Sequence, residues 1–246
     1  GGGLFLLCYL ILVLTFGFTL LTSELAIGRK TKQSPLTAYG VIHEKWKGLG
    51  ILASIVPIII LPYYCAIGGW VLKYLCTFIT GHDQDTVADG YFTGFITSNV
   101  SPIVFGVIFV LLTAVIVYLG VESGIEKYSK VLMPALFIMI IGIAIFSLTL
   151  KKEVDGNVVS GMDGLKVYLL PDFTGLTFSK LLSVILDAMG QLFYSISVAM
   201  GIMIAYGSYV KKDVNLMSSI NQIEFFDTLV AFFAGLMIIP AVVVFM

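Results

Sequence analysis

Six long apolar runs alternate with shorter polar segments along the chain. Each run is long enough to cross a bilayer as an α-helix, which takes about 20 mostly apolar residues. The pattern therefore predicts an all-α membrane protein, a multi-span helical bundle. It places one transmembrane domain over residues 1–246, with spans at about 4–27, 49–79, 103–120, 131–150, 181–209 and 226–246. The loop 151–180 is long for a bundle connection, and loops of that length usually hold short helices or serve as lids.

Composition supports the membrane assignment and excludes several classes of protein. The 246 residues are 59% hydrophobic and 12% charged, whereas soluble proteins have about 45–50% apolar residues. The net charge of −1 excludes a nucleic-acid binder that works by neutralising phosphates. Cys8, Cys65 and Cys76 lie in apolar runs without a C-x-x-C pair, so we interpret them as small hydrophobic residues. No metal-ligand cluster and no organic cofactor is expected.

The basic residues predict the orientation in the membrane. Three alternate loops hold nine of them, and the other side holds five, Lys73, Lys151, Lys152, Lys166 and Lys180. By the positive-inside rule the nine mark the cytoplasm, so the residue 1 side is extracellular. The pair Lys151-Lys152 counts against this orientation. The chain opens Gly1-Gly2-Gly3 without an initiator Met or signal-peptide features, which favours a fragment of a longer protein.

Three acidic residues fall in or near the predicted spans, namely Glu24, Asp187 and Asp227. An ionisable group inside a span costs about 2.5–3.5 kcal/mol on insertion scales, so it needs a partner or a function. Two interpretations stay open for each of them. The acid either reaches water at the interface or contributes to a functional site.

The fifth run holds the densest polar signal, at residues 190–201, which read GQLFYSISVAMG. Small residues there can serve close helix packing. The functional interpretation is a discontinuous helix, whose free amides and carbonyls line a cavity and bind an anionic substrate group and Na⁺. The second run carries Tyr63 and Tyr64 about a dozen residues into the span. Their hydroxyls belong either to an aromatic belt or to a site for a substrate carboxylate.

With these segments the chain resembles the neurotransmitter:sodium symporter family, and in particular its bacterial amino-acid transporters. The resemblance rests on Gly1–Gly3 with Phe5 and Tyr9, on 24–29, on 63–70, on 190–201, and on Ala234-Gly235 with Pro240. It implies a partial inverted-repeat, leucine-transporter-like fold in which the six runs match helices 2 to 7 and the fifth is broken. Helices 1 and 8, which complete the sites in the family, would then be missing helices of the same protein.

The resemblance also implies a substrate site. Tyr64 matches the tyrosine whose hydroxyl binds the substrate carboxylate. Tyr194 falls where the family usually has the Phe of the outer gate. Ser197, Ala199 and Met200 match positions that line the side-chain pocket, and the last two suggest an apolar substrate.

Further matches concern ions and gates. Ser195 and Asp227 match ligands of the first sodium ion, with an Asp where many members have Asn. Glu24 matches an acid that bonds to the backbone of the broken helix, and Tyr209 matches a tyrosine of the cytoplasmic gate.

The matches around Asp227 bear on chloride. Tyr9 and Gln191 resemble chloride-site positions, but Ala231 replaces a hydroxyl that helps bind chloride in the chloride-dependent members. The Asp227 carboxylate would supply the negative charge that chloride supplies elsewhere, so chloride-independent transport is predicted.

We therefore interpret the chain as the central part of a sodium-coupled symporter in the bacterial inner membrane. It would move an amino acid or related amine by alternating access, with Na⁺ as the transported coupling ion and no covalent chemistry. A truncated, non-transporting remnant or a regulatory membrane partner is the alternative. An ion channel or a membrane enzyme is less favoured, because the polar groups concentrate at one helix break.

Overall fold

A computed structural model describes residues 2–154 and 157–245. Gly1 and Met246, which belong to the predicted domain, lie outside this range. The helices in chain order are α1 Gly2–Leu12, α2 Phe18–Thr31, α3 Pro35–Ile42, α4 Lys47–Ile79, α5 Tyr91–Thr97, α6 Ser101–Tyr118, α7 Lys127–Thr149, α8 Gly161–Leu169, α9 Phe178–Ser195, α10 Ile202–Tyr209 and α11 Leu216–Phe245. Strands β1 Lys151–Val154 and β2 Asn157–Ser160 form an antiparallel hairpin. Two short 3₁₀ turns, Glu44–Trp46 and Asp83–Val87, lie in the loops.

Five helical stretches within the described residues are long and apolar enough to cross a membrane. They are Gly2–Thr31, Glu44–Ile79, Ser101–Tyr118, Gly124–Thr149 and Leu216–Phe245. The remaining predicted span, the fifth at 181–209, is divided into α9 and α10 by non-helical backbone. The predicted all-α membrane fold and the break in its fifth span are therefore both confirmed.

The boundaries differ from the prediction at several spans, and the largest difference is at the last one. The last span begins at Leu216, ten residues before the predicted 226. The loop 151–180 holds the β-hairpin and α8. A capping box begins α8: the Ser160 side chain accepts a hydrogen bond from the Asp163 amide, and the Asp163 side chain accepts one from the Ser160 amide.

The first span is continuous but irregular. A π-helical turn, Val13–Gly17, joins α1 to α2. Its neighbourhood is rich in hydroxyl side chains, and those of Thr15, Thr19 and Thr22 each donate to the carbonyl four residues earlier, at 2.7–2.8 Å. These bonds satisfy polar groups inside an apolar span without a partner helix.

The chain folds into two compact units, Gly1–Ser54 with Pro134–Met246, and Ile55–Met133. The second unit contains most of α4 together with α5 and α6. Within it, Gly69 lies against the backbone of Gly106, and the hydroxyls of Thr77 and Tyr91 are 2.9 Å apart. That the whole chain forms one transmembrane domain stays a prediction.

The core of the first unit lies where α1 and α2 meet α9, the break and α11. Its fully buried side chains include Leu21, Leu192, Ile196, Val198 and Ile220. Helices α2 and α10 pack backbone against backbone. A Cβ at Gly28 would overlap the Ile204 carbonyl oxygen, and one at Gly207 would lie 2.5 Å from that of Leu25. Only glycine permits this approach.

Candidate functional site

The break covers residues 196–201, between the end of α9 and the start of α10. Three alternate residues have left-handed backbone, with φ of 56° at Ser197, 61° at Ala199 and 72° at Gly201. This conformation costs roughly 1–2 kcal/mol for a residue with a Cβ, so tertiary contacts must hold it. The intervening Ile196 and Val198 are buried in the core at 2% and 0% exposure, and they anchor the segment.

Glu24 on α2 holds the centre of the break. Its side chain is 5% exposed, and its Oε1 accepts a hydrogen bond from the Ala199 amide at 2.7 Å. In a regular helix this amide would donate to a backbone carbonyl of the same helix, but residue 199 lies in the break. Burial first, and then the negative charge of the Glu24 carboxylate, raise the pKa of the Tyr39 hydroxyl on α3 above its ordinary value. The resemblance implies an acid at this position that bonds to the backbone of the broken helix.

Ser195 and Asp227 meet where α9 ends. The Ser195 Oγ donates to both carboxylate oxygens of Asp227, at 3.0 Å and 2.9 Å. The buried hydroxyl of Tyr9 lies beside Ser195 and Asp227. Oxygen ligands of this kind suit a hard cation. The structure thus brings together two predicted sodium ligands and one residue of the predicted chloride-site set.

A cavity of about 250 Å³ adjoins this cluster between α1, α8, α9 and α11. Its wall includes Tyr9, Gln191, Thr228 and Ala231, and the Thr228 hydroxyl is buried with no partner among residues 2–154 and 157–245. On the α8 side, Tyr168 donates to the Phe232 carbonyl at 3.2 Å, and burial raises the pKa of Tyr168 to about 12. The cavity therefore combines an apolar wall with several neutral hydrogen-bond donors.

Two basic side chains at the end of the first span, Arg29 and Lys32, form hydrogen bonds with the C-terminal end of α10 and the residues after it. Lys32 Nζ donates to the carbonyl of Ser208 at 3.0 Å and to that of Val210. Arg29 donates to the carbonyl of Lys212. These bonds satisfy carbonyls at a helix C-terminus, where cations are favourable. Tyr209, the predicted gate residue, is 66% exposed at this end.

The remaining predicted residues lie in both units. Tyr64 belongs to the second unit, where its ring makes an edge contact with that of Tyr63. Tyr194 lies on an exposed face of α9. Ser197 and Met200 are half-buried in the break, and Ala199 is exposed there. Asp187, for which two interpretations stayed open, is exposed on α9.

Sequence reasoning missed two buried polar residues on α11. Glu224 is 8% exposed, and its Oε1 has no hydrogen-bond partner in the part of the chain that the structure describes. Thr228 lines the cavity as described. Glu224 lies three residues before Asp227 and four residues before Thr228, so it shares a helix face with each of them. The signal was present in the sequence, but the predicted span began at 226 and left Glu224 in a loop.

Comparison with known proteins identifies the family of this chain. The profile of the sodium:neurotransmitter symporter family matches residues 1–86 and 97–246. A sodium-dependent transporter of Haemophilus influenzae is 31% identical over all of this chain and 54% of its own length. The Bacillus subtilis transporter YhdH is 32% identical over 98% of the chain and 52% of its own length. A sodium-dependent transporter of Methanocaldococcus jannaschii is 32% identical over 96% of the chain and 48% of its own length.

The chain spans about half the length of these curated relatives. The family match nevertheless covers nearly all of it, including the broken helix and the Ser195–Asp227 pair. It is thus an integral membrane protein of a transporter family rather than of an enzyme family. The chain belongs to the sodium:neurotransmitter symporter family.

Proposed function

We propose that this chain forms the central part of a sodium-coupled symporter that imports an amino acid or a related amine. The observation that carries the proposal is the Ser195–Asp227 pair at the broken end of α9. A carboxylate and a hydroxyl converge where α9 leaves its last carbonyls without helical partners. Na⁺ is a hard cation and takes such oxygens as ligands.

The break supplies a reason for coupling. Na⁺ held by Ser195 and Asp227 would lie at the C-terminal end of α9, and a substrate carboxylate would face the freed amides of 196–201. Opposite charges that meet at one break favour each other's binding, and linkage makes this effect reciprocal. Binding of both would then favour one arrangement of the bundle, as alternating access requires.

The remaining roles follow the family resemblance. Tyr64 would bind the substrate carboxylate, and Tyr194 would close the outer gate. Ser197, Ala199 and Met200 would line the side-chain pocket, with few polar groups for the substrate side chain. Tyr209 would belong to the cytoplasmic gate. The charge distribution of the loops supports an orientation in the bacterial inner membrane with the residue 1 side outside.

Chloride independence is part of the proposal. Asp227 places a fixed negative charge at the sodium position. At 4 Å and an effective dielectric near 20, the attraction between the carboxylate and Na⁺ is about 4 kcal/mol. The neutral donors of Tyr9, Gln191 and Thr228 around the cavity would suit an anion only if this carboxylate were removed.

Uptake into proteoliposomes by the full-length protein tests the proposal. A mixture of labelled amino acids is offered under an inward Na⁺ gradient, with choline replacing Na⁺ or gluconate replacing chloride. We expect uptake that requires Na⁺ and is unchanged in gluconate. The Asp227→Ser variant should become chloride-dependent, whereas Asp213→Asn, a neutralised acid outside the site, should match the wild type. Uptake that depends on chloride with Asp227 intact would refute chloride independence, and uptake that ignores Na⁺ would refute the symporter.

A further inference from the structure

The segment between α2 and α4 has no role in the proposed transport mechanism. It contains α3 and the 3₁₀ turn Glu44–Trp46. Two helical stretches that are apolar enough to cross a membrane meet here, since Gly2–Thr31 ends before α3 and Glu44–Ile79 begins after it. The segment therefore lies where the chain leaves the bilayer and enters it again.

A groove of about 510 Å³ lies between α3 and the first turns of α4. We call it the α3–α4 groove. Its lining is apolar at Leu36, Val41 and Ile51 and polar at Thr37, Glu44 and Lys47. The three apolar side chains are each more than half exposed. Neighbouring exposed apolar side chains of this kind mark a surface for another apolar molecule, and at the edge of a bilayer a lipid acyl chain is such a molecule.

The chain around the α3–α4 groove is strongly basic. Residues 29–47 have a net charge of +4, because Glu44 is the one acid among five basic residues, namely Arg29, Lys30, Lys32, Lys45 and Lys47. Lys30 and Lys45 are exposed and form no ion pair within residues 2–154 and 157–245. Glu44 is itself 87% exposed and lies 3.5 Å from Lys47, so it offsets only part of the charge. Basic side chains beside an apolar surface complement an anionic phospholipid.

Lys47 joins the apolar and the charged parts of this surface. A Cβ at Gly40 would lie 2.9 Å from the Lys47 Cγ, so the stem of the lysine packs on α3 where no side chain intervenes. The Lys47 side chain is nevertheless 67% exposed. Lysines near the ends of spans commonly lay the stem on apolar surface and keep the ammonium group at the level of the headgroups. Trp46, which precedes Lys47, is half-exposed, and tryptophan also favours that level.

The other side of α3 packs against the broken helix. A Cβ at Gly201, the residue before α10, would lie 2.7 Å from the Pro35 Cβ and 3.4 Å from the Ala53 Cβ. A Cβ at Gly50 on α4 would lie 2.5 Å from the Leu36 carbonyl oxygen. Helix α3 is thus in close contact with both α4 and the end of the break. A molecule that holds α3 against α4 therefore also supports the residue at which α10 begins.

We propose that the α3–α4 groove binds one anionic phospholipid and that the bound lipid stabilises the start of α10. The acyl chain lies along Leu36, Val41 and Ile51, and the headgroup phosphate faces Lys45 and Lys47. The position between two spans favours a lipid over a soluble protein as the occupant. The proposal does not depend on the sodium site.

Quenching of Trp46 fluorescence by brominated lipids tests the proposal. The full-length protein is reconstituted in phosphatidylcholine bilayers that contain either brominated phosphatidylglycerol or brominated phosphatidylcholine. The Trp46 signal is the difference between the wild type and Trp46→Phe. A lysine near an anionic surface favours binding by about fivefold. Half-maximal quenching should therefore need about fivefold less of the brominated anionic lipid, or less still with two lysines.

Variants at exposed positions assign the two parts of the site. Lys45→Gln combined with Lys47→Gln should remove the preference for the anionic lipid. Lys151→Gln combined with Lys180→Gln removes the same charge from exposed lysines outside the groove and should match the wild type. Val41→Ser should weaken quenching by the anionic lipid, because it makes the wall of the groove more polar.

Hydrogen exchange tests the connection to the break. The Ala205 amide donates to the Gly201 carbonyl at 3.1 Å, in the first turn of α10. Its exchange should be several-fold slower in bilayers with phosphatidylglycerol than in phosphatidylcholine alone. The double variant of Lys45 and Lys47 should show no such difference. Exchange at Ala205 that ignores the lipid would overturn the stabilisation of α10.

Four results would overturn the lipid site. They are equal quenching by the two lipids, a preference that persists without Lys45 and Lys47, quenching of Trp46 by neither lipid, and loss of the preference when soluble glycerol 3-phosphate is added. The third would show that other protein segments cover the groove, and the fourth that it binds a small anion. Each leaves Na⁺-dependent uptake untouched, so the proposed function is judged separately.

Discussion

Replacement of Glu24 by Ala tests whether this side chain holds the break. The substitution removes the acceptor 2.7 Å from the Ala199 amide and leaves that N–H without its partner. A hydrogen bond to a charged group contributes about 1.5–3 kcal/mol, and an unsatisfied buried donor costs about 1–3 kcal/mol. The two figures are not added, because both include the loss of the same hydrogen bond. We therefore expect the free energy of unfolding to fall by about 2–3 kcal/mol.

Two measurements check this magnitude on the purified chain. For a chain of this length the melting temperature should fall by about 4–12 °C. Hydrogen exchange of the Ala199 amide should accelerate by about 30-fold or more, since about 2 kcal/mol corresponds to that factor. Exchange is the sharper assay, because it reports on the break itself.

Two further variants separate the acceptor from other effects. Glu24→Gln keeps a carbonyl oxygen in nearly the same place and should cost about 1 kcal/mol or less. Ser23→Ala removes only an exposed hydroxyl that donates to the Thr19 carbonyl, and its effect should be about 0.5 kcal/mol or less. The reasoning is wrong if Glu24→Gln is as damaging as Glu24→Ala, or if exchange at Ala199 is unchanged in Glu24→Ala.

Three other predictions concern the site and its supports. Ser195→Ala should weaken Na⁺ binding by the full-length protein at least tenfold while Ser195→Thr retains it, and equal affinities in a Na⁺ titration would exclude the hydroxyl as a ligand or as a support for Asp227. Gly207→Ala should lower the melting temperature of the chain because its Cβ would overlap α2, whereas Gly190→Ala, with nothing within 4 Å, should be neutral or slightly stabilising; similar losses would contradict the packing. Hydrogen bonds from Ser160 and Lys166 hold the pKa of Asp163 below its ordinary value. The ionised side chain therefore stabilises α8 fully at pH values above the ordinary pKa, and this stabilisation is lost as the pH falls through the lowered pKa. Amide exchange in the first turn of α8 should therefore accelerate in the wild type as the pH falls below the ordinary Asp pKa of about 3.9, and it should change little in Asp163→Asn.

The apolar runs and the broken helix could be predicted from local sequence. Runs of about 20 apolar residues have few alternatives to spanning helices. In 190–201, glycines and serines interrupt such a run, and the structure breaks the helix there, at 196–201. The start of α11 was not predictable from hydropathy, because Leu216–Ile223 contains Ser218, Ser219 and other polar residues. It depends on Asn215, whose Oδ1 accepts from the Ser218 amide at 3.2 Å and so begins the helix early.

The contacts around the break depend on partners far apart in the chain. Glu24 and Ala199 are 175 residues apart, and hydropathy carries no information about such a pair. Their link became predictable only through the resemblance to a family with an acid at that place. Thr228 and Glu224 had no such guide, since neither matched a position named for the family. The structure therefore adds two residues that neither hydropathy nor the resemblance had indicated.

The irregular parts of the two spans support each other. The first span has its π-helical turn at Val13–Gly17, and Gly17 faces Leu192 and Ile196 at the end of α9. Before the π-helical turn, α1 packs against α9. After the turn, α2 packs against α10. Each half of the broken helix thus has its own half of the first span as a partner. The hydrogen bond from Ala199 to Glu24 crosses between α2 and the break, which is why we expect the Glu24→Ala variant to loosen residues 196–201 while both helix pairs stay packed.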